Sequence, residues 1–200
     1  MESTMLEPWG KDQHPMDSQI QAAPRKGPFG LEMGLRKEQY PGSLQEVKPG
    51  LYQTSEVPKP HSAFEFHVLQ FGPSSGLAWI KAIGKTIETN EFGTSLESAF
   101  DEMKKKLLKT YGASENISYL MEGSIWSEPR DWMQGLLNGE RMLAARWEAH
   151  SHKQLPDQLS TVFLVAQATD TSSGYIAIEY AFKNHEIAEE EIAALEDDAL

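Results

Sequence analysis

The 200-residue sequence predicts an α+β protein in which antiparallel β-hairpins pack with helices in a two-layer sandwich. Two pairs of β-rich runs, at 64–89 and 161–182, are each interrupted by a turn rich in Ser and Gly. Two further stretches, at 94–112 and 185–200, carry apolar residues at helical spacing. With 40% hydrophobic residues and no cysteine, a chain of this length can bury a core without disulfides.

The N-terminal part of the chain is rich in proline, with eight of the eleven prolines in the first 60 residues. Because proline fixes φ and lacks a backbone N–H, long regular elements are not expected there. We predict a flexible arm at 1–27 and a single globular domain at 28–200, with a short helical turn at 43–47. Alternating apolar residues near the start of the domain predict one strand face: Phe29, Leu31, Met33 and Leu35.

The middle of the chain predicts a hairpin followed by a long helix. Phe64, Phe66 and Val68 alternate ahead of turn residues at 72–76, and a β-rich run continues at 77–89. Thr94 and Glu97 have capping-box spacing, which predicts a helix N-terminus, and Gly112 predicts its end. The apolar residues of this helix are Leu96, Phe100, Met103, Leu107 and Tyr111.

The second half predicts the same kinds of element. We expect a strand at 117–121, a short helix that starts at Pro129 and ends at Gly139, and a second hairpin from 161–168 and 175–182. The segment 142–149 fits a strand or a helix, and its alternation favours the strand. A last helix is predicted after Asn184, with an apolar stripe formed by Ala188, Ile192, Leu195 and Ala199.

The two hairpin turns resemble each other. Residues 74–80 and 172–178 both start with Ser-Ser-Gly and both lie between β-rich runs that a helix follows. One interpretation is an internal duplication, with related ββα subdomains at 28–112 and 113–200. The alternative is coincidence, since Ser and Gly are common in any hairpin turn.

Composition disfavours several classes of function. The chain has 30 acidic and 18 basic residues, a net charge of −12, so phosphate backbones would be repelled and nucleic-acid binding is not expected. No basic segment precedes an apolar stretch near the start, and no 18 apolar residues run together. We therefore expect a cytoplasmic protein that does not bind membranes.

No catalytic residue, cofactor or metal site is predicted. The P-loop, the dinucleotide-binding fingerprint, the nucleophile elbow and the zincin motif are all missing from the sequence. His150, His152 and the distant His185 are conceivable metal ligands, but their setting favours exposed loop residues. His67 alternates with apolar neighbours, which predicts an outward or half-buried, hydrogen-bonded residue instead of a general base.

The strongest electrostatic feature is the C-terminal segment 185–200, which has seven carboxylates and no Lys or Arg. It predicts either a solvated helix face or an acidic surface that docks on a basic protein. Trp9 lies in the arm, outside any core element, and is a candidate anchor for another protein. The candidate binding residues are Trp9, Glu189, Glu190, Glu191, Glu196, Asp197 and Asp198.

One short motif carries a family resemblance. Phe29-Gly-Leu-Glu-Met-Gly34 followed by Arg36-Lys-Glu-Gln39 resembles the opening of small bacterial α+β proteins such as the outer-membrane assembly lipoproteins. The resemblance implies a helix ahead of a sheet. Because the chain lacks the lipobox cysteine and an export signal, it implies no function.

Three functional hypotheses follow from the sequence. The leading one is a noncatalytic protein-binding module of the immunity, inhibitor or adaptor type that uses an acidic surface to bind a basic protein. The second is an enzyme whose site is assembled from distant histidines and carboxylates. The third is a component of a phage or secretion assembly that is tethered by the N-terminal arm.

Overall fold

The computed structural model describes residues 27–150 and 152–197, and for Glu196 it describes the backbone alone. Its centre is one antiparallel sheet of nine strands, which with three helices makes an α+β fold. The strands are β1 (Gln45–Lys48), β2 (Leu51–Thr54), β3 (Phe64–Gly72), β4 (Gly76–Gly84), β5 (Ile87–Glu88), β6 (Glu115–Leu120), β7 (Arg141–Glu148), β8 (Leu159–Ala168) and β9 (Ser173–Phe182). The helices are α1 (Thr94–Tyr111), α2 (Trp132–Leu137) and α3 (His185–Asp197).

Both predicted hairpins are confirmed, and they belong to one sheet. The strand order is β1-β2-β3-β4-β9-β8-β7-β6, so β4 and β9 join the two halves side by side, and β5 also pairs with β9. The helix after each hairpin contacts the opposite half of the sheet. Helix α1 packs on β8 and β9, whereas α3 contacts β3 and β4. The predicted arm at 1–27 lies outside the described residues apart from Gly27.

One face of the sheet carries the main core. The apolar residues predicted to share a face of β9 are all buried: Ile176, Ile178, Tyr180 and Phe182. They pack with the apolar side of α1, with Met133 and Leu136 of α2, and with the N-terminal segment through Leu31 and Tyr40. We call this side of the sheet the inner face. Because side chains alternate along a strand, the residues between these positions project from the other side.

The N-terminal segment departs from the sequence prediction. The alternating residues at 29–35 do not form a strand, because a 3₁₀ turn at Pro28–Gly30 places Phe29 at φ 55°. Gly34 instead donates its backbone N–H to Leu77 O at 2.8 Å. The predicted helical turn at 43–47 is also wrong, since Gln45–Lys48 pairs with β2. In place of the helix that the lipoprotein resemblance implies, a single 3₁₀ turn forms at Lys37–Gln39. Pairing with distant strands outweighs local propensity here.

Helix α1 is confirmed, but its capping box is not. The N-cap is Gly93 in a left-handed conformation (φ 71°), and Thr94 lies inside the helix. Side chains of the preceding loop accept hydrogen bonds from the first turn of the helix. Asn90 Oδ1 lies 3.3 Å from the Thr94 amide nitrogen, and Thr89 Oγ1 lies 3.0 Å from the Ser95 amide nitrogen. These side chains satisfy amides that a helix leaves without intrahelical partners. The segment 142–149 forms β7, as its alternation predicts.

Candidate binding surface

The side of the sheet opposite the core carries a continuous row of apolar side chains. Cross-strand pairing places one residue from each of β4, β9, β8, β7 and β6 in register along this row. The residues, in spatial order, are Ile83, Ala177, Val165, Ala144 and Ile117. We call them the apolar row, and the side of these five strands on which they lie the open face.

Among the described residues, the apolar side chains packed around the apolar row are its own neighbours on the sheet. Ala144, Val165 and Ala177 are buried, and partly buried side chains pack around them: Ile83, Ile117, Met142, Phe163 and Tyr175. Every member of this cluster belongs to a strand, so none of the described helices contributes an apolar side chain to it. Toward one edge Tyr119 is 45% exposed. The accessible apolar surface of this face therefore comes from Tyr119 and the partly buried side chains, not from the three buried residues of the row. Exposed apolar surface is typical of binding sites.

A second row runs beside the first and carries charge. Its residues, in the same spatial order, are Lys81, Glu179, Phe163, Arg146 and Glu115, which we call the charged row. Lys81 Nζ lies 2.9 Å from Glu179 Oε1, and Arg146 Nη2 lies 2.8 Å from Glu115 Oε2. Arg146 also donates through Nε to the same oxygen at 3.0 Å, and this contact raises the pKa of the guanidinium. Two cations and two anions therefore flank an aromatic ring.

The structure places Glu191, one of the predicted acidic binding residues, in an internal contact. Its Oε2 accepts hydrogen bonds from the amides of Ser74 and Ser75 and from Ser75 Oγ, each at 2.9 Å. The backbone N–H of Ser75 is the main cause of a lowered pKa for the Glu191 carboxyl. Asn184 adds a hydrogen bond from Nδ2 to Ser75 O at 2.9 Å. Glu191 thus holds α3 against the β3–β4 turn.

The other acidic residues of α3 are more accessible. Glu189, Glu190 and Asp197 are exposed, and Glu189 Oε1 lies 3.6 Å from His185 Nε2. The side chain of Glu196 is not described, and Trp9 and Asp198 lie outside the described residues. The structure therefore brings Glu189 and Glu190 to one exposed part of α3, separate from the contact made by Glu191.

The histidines do not converge on a site within the described part of the chain. His67 is buried on the inner face, 4.4 Å from the Phe29 ring between centroids, and neither ring nitrogen has a hydrogen-bond partner among the described residues. The sequence predicts an outward or half-buried, hydrogen-bonded His67, and the structure contradicts this prediction. Burial lowers the pKa of His67 to about 4. His150 and His152 are exposed, and no cluster of three metal-ligating side chains occurs in the ranges described.

Five clefts on the described part of the surface have no histidine in their linings. One of about 410 Å³ lies where α3 meets the sheet and includes Trp79, Leu51 and Gln70 with Ile192. Within residues 27–150 and 152–197, no helix is both long enough and apolar enough to cross a membrane.

Comparison of the chain with protein-family models, with curated proteins and with solved structures finds no match in any of the three.

The open face is the functional candidate that the sequence analysis missed. The signal for it lies in β8, where Val162, Phe163, Leu164 and Val165 are consecutive apolar residues. A strand with only one buried face alternates apolar and polar residues, so an unbroken apolar run indicates that both faces of the strand are removed from water.

Proposed function

We propose that the chain is a noncatalytic, cytoplasmic protein-binding module of the immunity, inhibitor or adaptor type. The observation that carries this proposal is the open face, where an apolar row spans five strands and, in the part of the chain that the structure describes, its apolar neighbours all belong to strands. An apolar centre with charged side chains around it is the usual composition of a protein interface. The enzyme and assembly-component hypotheses stay predictions from the sequence.

The exposed acidic side chains of α3 would favour some partner proteins over others. Glu189 and Glu190 are exposed on a chain of net charge −12, so a basic protein would be attracted and an acidic one repelled. We assign contact area to the open face and electrostatic steering to α3. Steering of this kind changes the association rate and its salt dependence more than the dissociation rate.

The test is capture from a lysate of the native host by three tagged full-length proteins: the wild type, Phe163→Glu and Ile125→Lys. Phe163 lies at the centre of the open face, whereas Ile125 is 76% exposed in a loop and provides a matched surface control. We expect the wild type and Ile125→Lys to retain a partner protein in stoichiometric amount, and Phe163→Glu to lose it. Equal retention by all three proteins would exclude the open face, and retention by none would exclude the binding function.

A further inference from the structure

The charged row has an order that is complementary to itself. Read across the sheet from β4 to β6, its side chains are positive, negative, neutral, positive and negative, with Phe163 of β8 in the middle. We propose that the open face binds a second copy of this chain, forming a symmetric dimer whose two-fold axis runs along β8. This inference depends on the proposed function, because it assigns an occupant to the same surface. The steering that we assign to α3 then applies to a further, basic protein and not to the second copy, which is itself acidic.

The geometry of a two-fold axis along β8 fixes which residues meet. Two sheets that pack face to face are related by an axis lying between them, so each strand faces the strand at the same distance on the other side of β8. One strand away from β8 lie β9 and β7, which sets Glu179 of one copy opposite Arg146 of the other. Two strands away lie β4 and β6, which sets Lys81 opposite Glu115. All four charge contacts of the dimer are attractive.

The apolar row satisfies the same symmetry. Val165 faces its own copy on the axis, Ala177 faces Ala144, and Ile83 faces Ile117. Because Val165, Ala177 and Ala144 are buried within each chain, the apolar contacts here would be made by the larger, partly buried side chains around them: Ile83, Ile117, Met142, Phe163 and Tyr175. Sheets that pack face to face lie about 10 Å apart with strands inclined by about 30°, which a small tilt of the axis away from β8 accommodates.

The net charge of the chain makes the open face a suitable place for two copies to meet. Two molecules of charge −12 repel each other, but on the open face the two cations of the charged row stand against its two anions and Glu148, which lies 3.8 Å from Arg146, so the face is close to neutral. Five strands about 4.8 Å apart and about eight residues long cover a flat area of about 600 Å² per copy, which is the upper limit of what the face could bury. The total of about 1,200 Å² lies at the lower end of specific protein interfaces, which favours a reversible dimer.

A pair of charge-swap variants tests this register directly. The first combines Lys81→Glu with Glu179→Lys, and the second combines Glu115→Lys with Arg146→Glu. Each double variant reverses one ion pair within the chain, so that pair is still attractive. In a dimer of two identical variant chains, however, the facing positions carry like charges. In a mixed dimer of the two variants, all four facing positions again carry opposite charges. A dimer in which each ion pair faced the same ion pair of the other copy would show no such rescue.

The measurement is sedimentation equilibrium of the full-length proteins, with circular dichroism to verify that each variant is folded. We expect a wild-type dimer, a dissociation constant raised about a hundredfold or more in each swap variant, and recovery in the equimolar mixture. Phe163→Glu, which sets two carboxylates together at the axis, is expected to be monomeric even if a swap variant fails to fold, whereas Ile125→Lys is expected to dimerise like the wild type.

The inference is overturned if the wild type is monomeric, if folded swap variants dimerise as tightly as the wild type, or if their mixture stays monomeric. These outcomes are distinguishable from failure of the proposed function. A monomeric wild type that still captures a different protein, and loses it with Phe163→Glu, would retain the open face as a binding surface and reject the second copy as its occupant.

Discussion

The carboxylate of Glu191 accepts hydrogen bonds from both the amide and the hydroxyl of Ser75, a residue 116 positions earlier in the chain. This contact joins the last helix to the turn of the first hairpin. We expect Glu191→Ala to lower the free energy of unfolding by about 2 kcal/mol, because several hydrogen bonds to a charged acceptor are lost. The matched control Glu190→Ala, on an exposed side chain of the same helix, is expected to change it by less than about 0.5 kcal/mol. Urea denaturation of the three proteins provides the comparison.

The same contact predicts a pH dependence. The pKa of Glu191 is lowered in the folded state, so the stabilisation is complete above the unfolded pKa of 4.5 and is lost as the pH falls through the folded value. The difference in unfolding free energy between the wild type and Glu191→Ala should therefore shrink below pH 4.5. A difference that stays constant down to the acid end of the titration would show that the carboxylate charge has no role in this contact.

His67 predicts a second pH effect, in a higher range. Its folded pKa of about 4 lies below the ordinary value of 6.5, so the neutral ring is favoured in the core and protonation favours unfolding as the pH falls from 6.5 toward 4. Replacement of this buried ring by Phe should remove that dependence. We expect the stability advantage of His67→Phe over the wild type to grow by up to about 3 kcal/mol on acidification. Thermal unfolding at several pH values measures it, and a pH-independent advantage would contradict it.

Trp147 connects β7 to the end of α1. Its indole N–H donates to Gly112 O at 2.8 Å while the ring is buried in the core. Trp147→Phe should lower the free energy of unfolding by about 1 to 3 kcal/mol, because the Gly112 carbonyl loses its hydrogen-bond donor and the smaller ring leaves a cavity. Trp126→Phe, on a half-buried loop residue, should have little effect on chemical denaturation. If the two variants lost similar amounts of unfolding free energy, the hydrogen bond from Trp147 to Gly112 would not contribute to stability.

The sequence predicts the hairpins and α1 because their signals are local. Alternation along β3, the turn ahead of Gly76 and the helical spacing from Leu96 to Tyr111 depend on near neighbours. The prediction for segment 28–48 is wrong because contacts with distant strands determine its conformation. One of these contacts is the hydrogen bond from Leu77 N–H to Leu35 O. The open face was missed for a related reason: the register of five strands, and not any short motif, brings Lys81 and Glu115 into one row.

The most direct test of association through the open face uses the absence of native cysteine. Gln167 is exposed on β8 and lies on the proposed axis, so Gln167→Cys sets a thiol close to its own copy across the interface, whereas Gln154→Cys sets one in an exposed loop. We expect a short bis-maleimide to convert Gln167→Cys into a covalent dimer far faster than Gln154→Cys. Equal rates for the two variants, or only monomer from both, would contradict the account.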